Sequence, residues 1–293
     1  MRWRRLETSS NVEDRRGTGG AVAAGAGGLG IVDLLIALLF GGGSGGGFGG
    51  VDDLLGQMQG GTAPAQPAQQ AEEFEGIDES EDFVRRVLGS TETVWTDIFA
   101  AGGREYTPAS LVLFDAPTSS ACGGARSEVG PHYWPLDETI YVDLNFFDEL
   151  NRRFGASAGD FAQTYAIPHE VADHVQNELD SMDEVQRLQR AKPGDANDLS
   201  VRLELQADCL AGVWASAIWL RENVLEPGDI DEALSAAAAV GDDRIQQATT
   251  GRVNPESWTH GSSEQRVDWF NEGYGSGDPN RCDTFSGCGG AQR

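Results

Sequence analysis

The chain has 293 residues, of which 21 are basic and 47 acidic, so its formal net charge is −26. Nucleic-acid binding needs a basic surface, so this balance argues against DNA or RNA as a partner. The simplest interpretation of the acidic surface is that it keeps the protein soluble. More than 200 residues follow the first eighty, which is enough for a single hydrophobic core.

The amino terminus differs from the rest of the chain. Residues 1–20 are predicted to form a cytoplasmic basic tail, since residues 1–16 hold five arginines and three acids. Residues 21–40 are mostly apolar and just long enough for a transmembrane helix, with the arginine-rich side facing the cytoplasm. Asp33 opposes this assignment, because an aspartate at the bilayer centre costs about 2.5–3.5 kcal/mol of membrane-insertion free energy. A signal peptide and a peripheral hydrophobic arm are the alternatives.

We therefore predict a single-pass anchor in the cell membrane, with the carboxy-terminal domain outside the cytoplasm. Residues 41–77 are rich in glycine, proline and glutamine and predict a flexible linker. The folded domain is predicted to cover residues 78–288.

Apolar spacing in this domain predicts several helices and two short strands. The expected helices cover residues 83–99, 146–154, 199–220, 230–240 and 264–271, and the expected strands cover 111–114 and 139–144. The second strand is expected to lie nearest the cleft, followed by a helix that carries the residues discussed next.

The most informative stretch is His169-Glu170-Val171-Ala172-Asp173-His174. In a His-Glu-x-x-His helix, two imidazoles four residues apart bind one metal, and the Glu addresses a metal-bound water. Here Asp173 stands at the second ligand position. His174 lies about 140° round an ideal helix from His169, so it could reach the same metal only through a helix irregularity. Pro168 predicts that the helix begins or kinks there.

A carboxylate pair lies further along the chain. Glu204 and Asp208 are four residues apart, which places both on one face of a helix. In zinc sites, one such carboxylate can ligate the metal while the other orients a ligand imidazole. The pair alone would more often be an ordinary helix surface, so its weight comes from its combination with His169.

These residues, and the segments around them, resemble the bacterial family named Putative neutral zinc metallopeptidase. The resemblance extends from the first residues to Phe285. The segments that carry it are Met1–Arg4, Ser9–Arg16, Leu111–Phe114, Tyr141–Leu144, Ser200–Cys209, Leu225–Ile230, Gly241–Arg244, Thr259–Arg266 and Cys282–Phe285.

The resemblance implies metal binding by His169 and Glu204 and a general-base role for Glu170. Where the family has His-Glu-Val-Gly-His-His, this chain has Ala172 and Asp173. A carboxylate from Asp173 could ligate zinc, but it would weaken the metal as an electrophile and favour harder ions such as manganese or magnesium. The expected metal site is therefore His169, Asp173 and Glu204, with Asp208 behind His169. The cofactor is zinc, another divalent metal, or none if the site has decayed.

Two further features remain open. His260 could stabilise an oxyanion, as a second-domain His does in related zinc proteases, or cap the helix beginning at Ser262, which we favour slightly. Relatives have a Cys at the position of Trp134, which implies Cys209–Cys282 as one disulfide and Cys122–Cys288 as another, with free buried thiols as the alternative.

The elements together predict an α+β, zincin-like, mostly helical metallopeptidase domain with a small sheet. We expect a membrane-anchored zinc metallopeptidase that hydrolyses an unidentified peptide or protein with a metal-activated water. The competing interpretation is a catalytically impaired family member that serves as an envelope scaffold or binding domain. Asp173 and Pro168 favour the scaffold, and Glu170 favours the enzyme.

Overall fold

The computed structural model describes residues 1–17, 78–115, 118–120, 123–125, 130–143 and 160–286. The predicted transmembrane helix and linker at 21–77 lie outside these residues, as does the helix predicted over 146–154. Among the helices of the described part, none is long and apolar enough to cross a membrane.

Helices dominate the described part of the domain, which confirms the prediction of a mostly helical α+β fold. Asp78 caps the first helix, its side chain accepting the Glu81 N–H at 2.8 Å. The α-helices are α1 (Glu79–Ala101), α2 (Asp160–Glu178), α3 (Ser181–Ala191), α4 (Ala196–Glu222), α5 (Asp229–Ala239), α6 (Asp242–Thr250) and α7 (Ser263–Ser276). The zincin-like arrangement stays a prediction.

A four-stranded mixed sheet lies beside the helices. The strands are β1 (Val12–Asp14), β2 (Ser110–Leu113), β3 (Thr118–Ser120), β4 (Gly123–Ala125), β5 (His132–Trp134) and β6 (Thr139–Val142). The sheet order is β1-β2-β6-β5, with β5 antiparallel to β6 and the other pairs parallel, while β3 and β4 form a separate hairpin.

The prediction that the 139–144 strand lies nearest the cleft was wrong. This strand, β6, is internal, and β5 is the edge strand that contacts α2. Strand β5 was not predicted, because it has only three residues. His132 is buried in β5, and its ring stacks on Tyr141 of the neighbouring strand.

Residues 1–17 are part of the folded domain rather than a separate tail. Strand β1 lies at the edge of the sheet with Val12, Glu13 and Asp14 in register with Leu111, Val112 and Leu113. Trp3 is buried and packs edge-on against Phe83 of α1.

Helices α4 and α7 cross with their backbones in close contact. A Cβ added to Gly212 would lie 2.1 Å from the Phe270 carbonyl oxygen, and one added to Gly273 would lie 1.8 Å from that of Cys209. Only glycine permits this approach. The disulfide between Cys209 and Cys282 joins α4 to the segment after α7, which confirms the predicted pairing. Cys122 and Cys288 lie outside the described residues.

Candidate metal and catalytic site

The site is built where α2 packs against α4. His169 lies on α2, and Glu204 and Asp208 lie one turn apart on α4, facing it. The Nε2 atom of His169 is 3.2 Å from Glu204 Oε2, and its Nδ1 atom is 3.0 Å from Asp208 Oδ1. The structure thus brings His169 together with Glu204 and Asp208, the carboxylate pair that was expected to act with it.

The contacts of His169 with the two carboxylates shift the pKa of the imidazole and of Asp208. Burial by itself would lower the pKa of His169, but the hydrogen bonds with Asp208 and Glu204 raise it well above its usual value. Burial would raise the pKa of Asp208, yet Arg266 and His169 lower it to about 2. The imidazole is therefore held in one orientation, with Asp208 ionised behind it.

Arg266 of α7 belongs to this cluster, although no role was predicted for it from the sequence. It donates two hydrogen bonds to the Asp208 carboxylate, at 2.8 and 3.0 Å, and one to the Tyr165 hydroxyl at 3.1 Å. Tyr165 in turn donates to Asp208. A usable signal was the spacing of Arg266, Phe270 and Gly273, which puts the arginine on the buried face of α7.

Two acids of α2 complete the cluster. Glu170 is buried, and burial and the nearby Glu204 raise its pKa to about 7, although His169 opposes this. Asp173 is partly exposed, and its pKa is raised well above its usual value by desolvation and by the charges of Glu204 and Glu170, against His169. Both acids therefore disfavour their charged forms in this arrangement.

A metal ion fits part of this arrangement. Two ligands of a tetrahedral zinc ion, each about 2.0–2.2 Å from the metal, lie roughly 3.3–3.6 Å apart. His169 Nε2 and Glu204 Oε2 are 3.2 Å apart, close to that separation. Asp208 on the other ring nitrogen matches the usual carboxylate support of a ligand histidine. Within the described ranges, however, no three His, Cys, Asp or Glu side chains converge closely enough to hold a metal. The role of Asp173 as the third ligand stays a prediction; this residue lies near enough to Glu204 and His169 for their charges to shift its pKa.

His174 has a different function in the fold. Its Nδ1 atom is 2.9 Å from the Tyr133 hydroxyl, and its Nε2 atom is 2.6 Å from the Thr107 carbonyl oxygen. The side chain is fully buried. His174 therefore ties α2 to the sheet, as expected from its position on the opposite side of the helix from His169. Helix α2 begins at Asp160, so Pro168 lies within it rather than at its start.

His260 is oriented by Asp242 rather than serving as a helix cap. The backbone N–H of His260 donates to Asp242 Oδ2 at 2.7 Å, and the ring Nδ1 atom lies 3.3 Å from Asp242 Oδ1. The cap of α7 is Ser262, which forms a reciprocal capping box with Gln265. Burial would lower the pKa of His260, but the charges of Glu204 and Asp242 raise it. The capping alternative for His260 was therefore wrong. The imidazole lies close enough to Glu204 for the charge of that carboxylate to act on it.

The comparisons with known proteins agree with the resemblance. The uncharacterized protein YpfJ of Escherichia coli K12 is 43% identical over 297 residues, covering 97% of this chain and 99% of that protein. The uncharacterized proteins Mb2605 of Mycobacterium bovis and Rv2575 of Mycobacterium tuberculosis H37Rv are each 50% identical over 206 residues, covering 67% of this chain and 68% of theirs. No solved structure matches the chain. Residues 1–285 match the family described as Putative neutral zinc metallopeptidase, so the chain belongs to that family.

Proposed function

We propose that this protein is a metal-dependent peptidase whose divalent cation is held by His169 and Glu204, with Asp173 as the third protein ligand. The observation that carries the proposal is the position of His169 between two carboxylates of α4, one on each ring nitrogen. Zinc is the metal that the family name suggests. When bound, such a cation would acidify a water molecule and polarise the scissile carbonyl.

Glu170 acts as the general base. It takes a proton from the attacking water and passes it to the leaving amine as the carbon–nitrogen bond breaks. Burial raises the pKa of Glu170 above its usual value in this arrangement, which favours a carboxyl that takes up a proton and then releases it.

Other residues position the reacting groups. Asp208, itself fixed by Arg266, holds the ring of His169 so that Nε2 faces Glu204. His260 donates a hydrogen bond to the developing oxyanion, and Asp242 orients its ring through Nδ1.

The test combines metal content with cleavage. Full-length protein is purified, its bound metals are measured, and casein cleavage is compared with Glu170→Gln. Loss of the base should slow cleavage by about 100- to 10,000-fold without loss of metal. Glu222→Gln, at an exposed position on the end of α4, is the matched control and should leave cleavage unchanged. Cleavage that survives Glu170→Gln would refute the assignment.

A second candidate is a catalytically impaired family member that binds a partner in the cell envelope. It is favoured by Asp173 at the position of a family histidine and by the lack of a three-donor group in the described part of the chain. Asp173→His separates the two. If the native protein binds no metal and cleaves nothing, while Asp173→His does both, the scaffold interpretation is correct.

A further inference from the structure

The first 17 residues pair with the sheet and contribute buried side chains to the core of the domain. Strand β1 pairs in parallel with β2, and Trp3, Leu6 and Val12 are 5%, 2% and 6% exposed. Side chains buried to this degree belong to a hydrophobic core rather than to a solvated tail.

Helix α1 is shaped to receive this segment. A Cβ at Gly89 would lie 2.5 Å from the Glu7 carbonyl oxygen, so the segment can approach only because residue 89 is glycine. Glycine in a helix interior is destabilising, which makes this close approach the reason for its presence. Arg85 donates to the carbonyl oxygens of Ser9 and Val12, at 3.2 and 2.8 Å.

The amino-terminal arginines are engaged with protein carboxylates. Four of the five form ion pairs, namely Arg2 with Glu226, Arg4 with Glu79, Arg15 with Glu13, and Arg16 with Asp14 and Asp78. These pairs explain the basic residues without a cytoplasmic location. The arginines were the reason for placing the amino terminus in the cytoplasm. Because they are paired within the protein, they no longer indicate on which side of a membrane the amino terminus lies.

The chain leaves and re-enters the domain at one place on its surface. Arg16 forms an ion pair with Asp78 at 3.0 Å, and the Gly17 N–H donates to Asp115 at 3.0 Å. A chain whose two flanks meet on one side of a membrane crosses it an even number of times. Residues 18–77 contain only one apolar stretch of spanning length, at 21–40.

We propose that residues 1–17 and the domain from residue 78 onward lie in the same compartment, so that residues 21–40 do not carry the chain across a membrane. This inference is independent of the proposed catalytic function, since it rests on the docking of residues 1–17 alone.

Cysteine labelling in cells tests the shared compartment. Thr8→Cys and Ser257→Cys place one thiol each at exposed positions of the two parts, in a full-length background with Cys122→Ser and Cys288→Ser. Spheroplasts are treated with a membrane-impermeant maleimide before and after lysis. Equal behaviour of the two thiols, both labelled or both protected, supports the proposal. Labelling of one and protection of the other overturns it.

Proteolysis of purified full-length protein tests the docking itself. Trypsin cuts after Lys and Arg, and residues 18–77 contain neither. Any tryptic cut before residue 78 therefore falls at an arginine of residues 1–17. Gly89→Ala should speed cleavage there at least tenfold, whereas Gly275→Ala, where a Cβ meets no atom within 4 Å, should not. Arg85→Met, which keeps the helix backbone unchanged, should also speed cleavage. Equal rates in all three variants and the native protein would overturn the proposal.

Discussion

Replacing Arg266 by methionine tests the charge cluster at the centre of the site. The arginine side chain is 3% exposed and its partner Asp208 is 0% exposed, with two hydrogen bonds between them. Methionine keeps most of the length and apolar volume but removes the charge. The Asp208 carboxylate would then remain buried with only His169 and Tyr165 as partners.

The size of the effect follows from this burial. Removing one partner of a buried ion pair costs about 3–5 kcal/mol, because the other charge is left uncompensated. At about 2–4 °C per kcal/mol for a chain of this size class, the midpoint of thermal unfolding should fall by roughly 6–20 °C.

The control is a second arginine with an exposed partner. Arg281 donates to Glu272 at 2.7 Å, but its side chain is 64% exposed, so Arg281→Met should cost about 0–1 kcal/mol. Urea unfolding followed by fluorescence, on both variants and the native protein, gives the two free-energy differences. If Arg266→Met costs no more than Arg281→Met, the cluster does not stabilise the fold and the reasoning is refuted.

The same pair predicts a pH dependence. The pKa of Asp208 is lowered to about 2 from its usual value of 3.8. A lowered pKa stabilises the folded state above the unfolded-state pKa, and this contribution is lost as pH falls through the folded-state pKa. The stability difference between native and Arg266→Met protein should therefore shrink between about pH 4 and pH 2.

Three other outcomes are expected. Gly273→Ala should destabilise the protein by more than about 3 kcal/mol in urea unfolding, because its Cβ would lie 1.8 Å from a backbone oxygen, while Gly275→Ala should be neutral or stabilising by up to about 1 kcal/mol. His174→Gln should cost about 1–3 kcal/mol of stability without changing metal stoichiometry, and loss of metal would show that His174 is a ligand. Replacing Cys209 and Cys282 together by alanine should cost about 4 kcal/mol, since the disulfide spans 73 residues, and an unchanged unfolding midpoint would contradict this.

Local patterns were sufficient to predict much of the helical framework. The four-residue spacing of Glu204 and Asp208 placed both on the face that meets His169, because the helical repeat fixes which residues share a face. The same geometry placed His174 away from that face, where the structure has it.

The residues that were missed depend on contacts between distant parts of the chain. Arg266 meets Asp208 only because α7 crosses α4 at two glycines, and the sequence of neither helix specifies that crossing. Asp242 contacts His260 from a separate helix, and the residues around His260 do not predict this contact. The docking of residues 1–17 was hidden by the apolar stretch after them, which suggested a separate tail.

The support behind His169 has an evolutionary consequence. The hydrogen bonds that orient this ring come from α4, and residue 173 contributes none of them. Aspartate and histidine codons differ only in their first base, so one point mutation exchanges the two residues at this position. The imidazole of His169 should therefore stay aimed at Glu204, whichever of the two amino acids the gene encodes at residue 173.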